Sequence, residues 1–129
     1  MWLEYVFDGS LSAEASTALQ ETRENGGATS TIALVEIDYI LRRETNAEMA
    51  DYVTSSIQDE ESIRTVPVSD EIALRASSLR TKYYQRRERE ISYADAIHLA
   101  TAIVCDCAVL YTGDSDFDGI DEIETVVYS

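Results

Sequence analysis

The chain has 129 residues, 45% of them hydrophobic, and carries 25 acidic against 10 basic side chains, a formal net charge of −15 at pH 7. That length suits a single domain, residues 1–129, with a real core and no second domain. There is no run of about 18 consecutive apolar residues and no basic, apolar, small-residue leader, so neither a membrane span nor a signal peptide is expected. A cytoplasmic protein is the expectation. Cys105 and Cys107 have no partner cysteines and only one histidine for company, which excludes a zinc site or a disulfide framework and leaves buried, reduced thiols. Nine of the ten bases are Arg, Lys82 being the only lysine. Such an excess of negative charge destabilises a small domain by self-repulsion in dilute buffer. At molar salt, where the Debye length is about 3 Å, that repulsion largely disappears. A salt-loving, haloarchaeal source is therefore expected, and the acidity does not exclude a nucleic-acid partner.

In chain order, Met1 to Phe7 is apolar apart from Glu4, and Asp8-Gly9-Ser10 reads as a turn. Ser12 caps a helix to about Asn25 that Gly26-Gly27 stops. Ala28 to Ser30 reads as a short strand leading at once into a helix from Ile32 to about Arg43, with Leu34, Ile37, Ile40 and Leu41 on its buried side and Glu36 in its first turns. A helix from Ala47 to about Ile57 follows. Ile63 to Val68, rich in β-branched residues and ending near Pro67, reads as a strand. Ser69 caps a long helix, Asp70 to about Arg87, with Ile72, Leu74, Ala76 and Leu79 apolar. Residues 91 to 104, ISYADAIHLATAIV, read as a helix apolar on nearly every side and hence deeply packed. Ala108 to Tyr111 is a buried strand, the loop Thr112 to Phe117 follows, and a last strand runs from about Thr125 to Tyr128.

Short apolar strands alternating with helices define an α/β domain with a small parallel sheet. Ligands of such sheets bind beyond the carboxyl ends of the strands. Glu36 and Asp114 fall there, Asp116 lies two residues further, and Asp95 opens the apolar helix. Ser92 and Asp95 also match a capping box, so Asp95 on its own reads either as a cap or as a ligand. Converging carboxylates repel one another unless cations join them, and hard oxygen donors without Cys or His favour Mg²⁺ or Mn²⁺. Two such ions about 3.5–4 Å apart suit phosphodiester cleavage.

The segments STIALVEIDYIL, ISYADAIHLATAIV and LYTGDSDF, in this order and spacing, resemble the PIN-domain family, in particular the VapC-type toxin ribonucleases of prokaryotic toxin–antitoxin pairs. The resemblance spans essentially the whole chain. It implies a parallel sheet flanked by helices on both faces and an Mg²⁺- or Mn²⁺-dependent endoribonuclease. Glu36, Asp95 and Asp114 would be its catalytic, metal-binding acids, with Asp116 an adjacent metal ligand and Thr112 a hydroxyl ligand. It further implies an RNA substrate, a cognate antitoxin and a homodimer. One departure stands out. The family opens with an apolar strand ending in an Asp, the central strand of its sheet, and WLEYVF matches the helix after it. By that alignment the first acid and the first, central strand are missing from this chain, which reads as truncated or, alternatively, as a degenerate copy. An inactive remnant that binds an antitoxin or another partner is the competing reading.

Six of the ten bases, Arg75, Arg80, Lys82, Arg86, Arg87 and Arg89, fall within one stretch interleaved with Tyr83 and Tyr84. Arg80, Lys82, Arg86 and Arg87 are candidate RNA contacts by phosphate pairing, with base stacking on Tyr. The same residues equally describe a solvated helix face with i,i+4 pairs. His98 reads as a packed or Asp95-bonded residue rather than a catalyst. Tyr39, Ile40 and Leu41 mark a candidate dimer surface.

Overall fold

The structure is a computed structural model and describes residues 26–84, 91–112, 117 and 119–127. Strand β1 (Gly27–Ser30) leads into helix α1 (Thr31–Glu44), followed by helix α2 (Ala47–Asp59), strand β2 (Ile63–Val66), helix α3 (Asp70–Tyr84), helix α4 (Tyr93–Val104), strand β3 (Val109–Thr112) and strand β4 (Glu124–Val127). The expected helix ending near Asn25 and the expected carboxyl end of the long helix, beyond Tyr84, lie outside the described residues. Among the described residues no helix is long and apolar enough to cross a membrane.

Side-chain caps decide where the helices begin. Ser30 Oγ accepts from the Ile32 N–H at 3.1 Å, Asn46 Oδ1 from Met49 at 2.7 Å and Ser69 Oγ from Ile72 at 3.2 Å. Each satisfies one of the amide donors that a helix start leaves unpaired. At the end of α4 the Cys107 N–H donates to the Ala102 carbonyl and the Asp106 N–H to that of Ile103. This is a Schellman closure with Asp106 at φ 56°, where glycine is usual. The turn delivers the chain directly into β3.

The strands pair in parallel. β1 runs beside β2 with Gly27 opposite Ile63 and Ser30 opposite Val66, while β3 runs beside β4 with Val109 opposite Glu124. The described strands thus form two parallel pairs rather than one joined sheet. Pro67 ends β2 at Val66, two residues earlier than the composition suggested, because proline has no N–H to continue the ladder.

Among the described residues two hydrophobic clusters hold these elements. The larger joins Ile72, Ala76, Leu79 and Tyr83 of α3 to Ala96, Leu99 and Ala100 of α4, with Ile91, Phe117, Ile120 and Ile123. The smaller closes the α1–α2 hairpin through Ile37, Leu41, Ala50, Val53 and Ile57. Arg42 straps the outside of that hairpin, bonding Asp38 on its own helix and Asp51 on α2. These hydrogen bonds raise its pKa further. The deep packing expected of α4 holds for Ala96, Leu99, Ala100, Thr101 and Ala102, whereas Ile97, Ile103 and Val104 are half-buried.

Several expectations need correction. Leu74 is 73% exposed, since it lies off the Ile72–Ala76–Leu79–Tyr83 face of α3. Leu41 is fully buried against α2 and offers nothing to a dimer surface, although Tyr39 does face solvent. Cys105 and Cys107 are free but only half-buried, with desolvation raising the Cys107 thiol pKa.

Tyr83 is likewise buried rather than available for stacking. Its hydroxyl donates to Glu122 Oε1 at 2.5 Å and accepts from the Asp121 N–H at 3.0 Å. Lys82 Nζ reaches the other Glu122 oxygen at 3.0 Å. Partial burial raises the Glu122 pKa, but the bonds from Tyr83 and Lys82 outweigh it and hold the group below its ordinary value of 4.5. A depressed carboxylate stabilises the fold above its unfolded-state pKa and loses that contribution as pH falls through the folded-state value. Tyr83→Phe should therefore cost about 1–3 kcal/mol at neutral pH. The gap from wild type should narrow toward about pH 3, as measured by denaturant unfolding at both pH values in high salt.

Candidate functional site

Two of the predicted acids lie on α1 and α4, helices that touch each other. Ser30, at the carboxyl end of β1, starts α1, and Glu36 follows in the second turn with its side chain 45% exposed. Asp95 is the third residue of α4 and is half-buried. The capping box expected of Ser92 and Asp95 is present: the Asp95 N–H donates to Ser92 Oγ at 3.1 Å, and the Ser92 N–H donates to Asp95 Oδ2 at 3.3 Å. The cap does not use up the carboxylate. Oδ1 takes no hydrogen bond among the described residues, so Asp95 serves the helix start with one oxygen and keeps the other available.

His98 links the two elements. Its Nε2 lies 2.6 Å from Glu36 Oε1, and the three-residue spacing puts it on the same helix face as Asp95. A carboxylate only accepts, so Nε2 is the protonated nitrogen that donates. The seam between α1 and α4 therefore carries the Glu36–His98 pair, and among the described residues Glu36 Oε2 takes no hydrogen bond. Reading the sequence leaves His98 as a packed or Asp95-bonded residue. The partner is instead Glu36, 62 residues earlier, and no local spacing signals a contact between helices so far apart in the chain.

Uncommitted carboxylate oxygens are donors of the kind that hard divalent cations prefer. Glu36 and Asp95 fit such a cation in chemistry, but they are only part of a donor set. Among the described residues no three His, Cys, Asp or Glu side chains are grouped to hold an ion. Asp114 and Asp116 lie outside the described residues, and of Thr112 the structure describes only the backbone, as the last residue of β3.

Of the four candidate RNA contacts, Arg86 and Arg87 also lie outside the described residues. The other two are engaged within the chain. Lys82 pairs with Glu122 and, at 3.8 Å, with Asp121. Arg80 donates from Nε to the Ile91 carbonyl at 3.0 Å, and its guanidinium lies 4.4 Å from the Tyr84 ring centre and 4.3 Å from that of Tyr93. This cation–π stack ties the end of α3 to the start of α4.

The comparisons with known proteins bear on the family and the fold. The PIN domain family model matches residues 1–123, and the chain belongs to that family. A chain of a toxin–antitoxin complex from Klebsiella pneumoniae is similar at 25% identity, with a TM-score of 0.69 over 98% of this chain and 91% of that one. A chain of VapBC2 from Rickettsia felis, solved bound to a DNA fragment from its promoter, shares the fold at 18% identity and a TM-score of 0.75, covering 99% of this chain and 93% of that one. No curated protein matches the chain significantly.

The cap itself is testable. Ser92→Ala should lower stability by about 1 kcal/mol. Combined with Asp95→Ala it should cost less than the two single changes summed, because the box is one reciprocal unit; a thermal-denaturation double-mutant cycle reads the coupling.

Proposed function

We propose that the chain is a metal-dependent endoribonuclease acting as the toxin of a toxin–antitoxin pair. The observation that carries this reading is the contact of α1 with α4 through Glu36 and His98, with Asp95 three residues before His98 on α4; among the described residues Glu36 and Asp95, from two of the family-like motifs, each keep an oxygen that takes no hydrogen bond. Family membership supports a nuclease, and the similarity to toxin–antitoxin complexes supports an antitoxin as the partner. Glu36, Asp95 and Asp114 would hold Mg²⁺ or Mn²⁺, with Asp116 contributing. When bound, such ions activate water and neutralise charge on the phosphodiester. The chain's own part is to fix the carboxylates: Ser92 and the α4 backbone orient Asp95, and His98 restrains Glu36. RNA, rather than DNA, is the substrate of this reading, and a homodimer its assembly.

A second reading, a partner-binding module that cuts nothing, rests on the similarity to toxin–antitoxin complexes alone. The two readings separate in one assay run at molar KCl, where a chain of charge −15 is screened. The nuclease should degrade single-stranded RNA with Mn²⁺ and stop on chelation. Asp95→Asn, which keeps an acceptor oxygen for the Ser92 N–H, should cut activity by about 100-fold or more with little change in unfolding temperature. Undiminished cleavage by that variant would remove Asp95 from the site. A wild-type chain that binds an antitoxin but leaves RNA intact would favour the binding module.

A further inference from the structure

The turn between α4 and β3 carries the two cysteines, and neither belongs to the site described above. Cys105 caps α4, its N–H donating to the Thr101 carbonyl, and Cys107 follows with its N–H on that of Ala102. Between them Asp106 stands at φ 56°. Two residues apart, the Cα atoms can be separated by about 7 Å at most, and a left-handed residue between them shortens that span. A disulfide bridges Cα atoms about 4.4–6.8 Å apart. The closure of the helix therefore brings two thiols within bridging range without help from any other element.

Both thiols are free and half-buried, so solvent reaches them. Cys107 also packs against the larger cluster. Its burial raises the thiol pKa, the Cys105 thiol adds to the rise, Arg64 of β2 opposes it and Asp106 reinforces it. The two sulfurs thus lie close enough for each to feel the charge of the other. The thiolate is the attacking form, so a Cys107 held protonated leaves the first attack on an oxidant to Cys105.

We infer that Cys105 and Cys107 form a redox-active dithiol that closes reversibly to a disulfide, with a low-molecular-weight disulfide as oxidant. The Cys105 thiolate attacks one sulfur of the oxidant. The oxidant's S–S bond breaks, and its other half leaves and takes up a proton to become a thiol. Cys107 then gives its proton to water, attacks the Cys105 sulfur of the mixed disulfide and expels the second half as a thiol. Two cysteine thiols are oxidised and one small disulfide is reduced, a two-electron exchange. The second step is intramolecular and needs no further encounter. A ring closed over one intervening residue removes little loop entropy from the unfolded chain, and strained or exposed disulfides are the readily reduced ones. The bond therefore fixes the turn that leads α4 into β3 only while the surroundings are oxidising.

The test exposes the full chain, folded in molar KCl at about pH 8, near the ordinary thiol pKa, to excess oxidised glutathione. Intact mass and free thiols are read. Wild type should lose both thiols and two hydrogen atoms in mass, form no covalent dimer, and return to the dithiol in excess reduced glutathione. Cys107→Ser should stop at a mixed disulfide carrying one glutathionyl group, because the second thiol is gone. Cys105→Ser, left with the thiol that burial holds protonated, should react about 10-fold more slowly than Cys107→Ser. Wild type that keeps a glutathionyl group, or forms covalent dimers instead, overturns the intramolecular pair. Thiols that stay reduced in the folded wild type yet react in guanidinium overturn the redox role and leave two structural cysteines. A disulfide that resists reduced glutathione overturns its reversibility, and faster reaction of Cys105→Ser than of Cys107→Ser overturns the order of attack. The wild-type results stand by themselves should either variant fail to fold.

Discussion

Helix α4 sets the terms for everything around it. It packs on α3, reaches both β1 and β3, and meets α1 along the seam that carries Glu36. Small residues on its buried face, Ala96, Ala100 and Ala102 among them, allow these elements to approach closely. Its first turn is more open, Tyr93 being 73% exposed, and the amide donors that a helix start leaves unpaired still need partners. The Ser92–Asp95 box answers that demand. It also places a carboxylate where one oxygen is consumed by the helix and the other is not. Cap and candidate ligand are therefore one residue in two capacities, not competing descriptions of it.

The scarcity of bases shapes the rest of the polar structure. In a chain with 25 acids against 10 bases, Arg42 bridges two aspartates across α1 and α2, and Lys82 bridges Asp121 and Glu122. Arg80 is held between two tyrosines with Nε on a carbonyl. These cations act as internal counterions and struts. At high ionic strength pure charge attraction between exposed groups fades, and links with hydrogen-bond or stacking geometry are the ones that persist. The same commitment removes Arg80 and Lys82 from the pool of bases available to pair freely with phosphates.

Much of this was legible in the chain. The order of elements follows from hydrophobic periodicity and cap residues, and the Ser92 box from a four-residue motif. What escaped was tertiary. Tyr83 and Tyr84 are adjacent and chemically alike, yet one is wholly buried on Glu122 while the other lies half-exposed against Arg80. Only the rotation of α3 against its neighbours separates them. Leu74 looked like a core residue because apolar residues recur around it, but the buried stripe passes it by. His98 and Glu36 could not be paired from spacing, since their contact depends on how two helices cross.

Among the described residues the interior divides into two clusters, which bears on the two acids. Glu36 rides on the hairpin whose core is Ile37, Leu41, Ala50, Val53 and Ile57, whereas Asp95 belongs to the helix that anchors the larger cluster. Proteins open in cooperative units, each with its own free energy below the global value. Here Glu36 and His98 join two such units, so opening of the hairpin would part this pair while the α3–α4 body stays folded. Any ligand that grips both sides closes this equilibrium, and the gain should appear first as slowed amide exchange in α1 and α2. Occupancy would then be written into the dynamics of the hairpin before it registered in the stability of the whole chain.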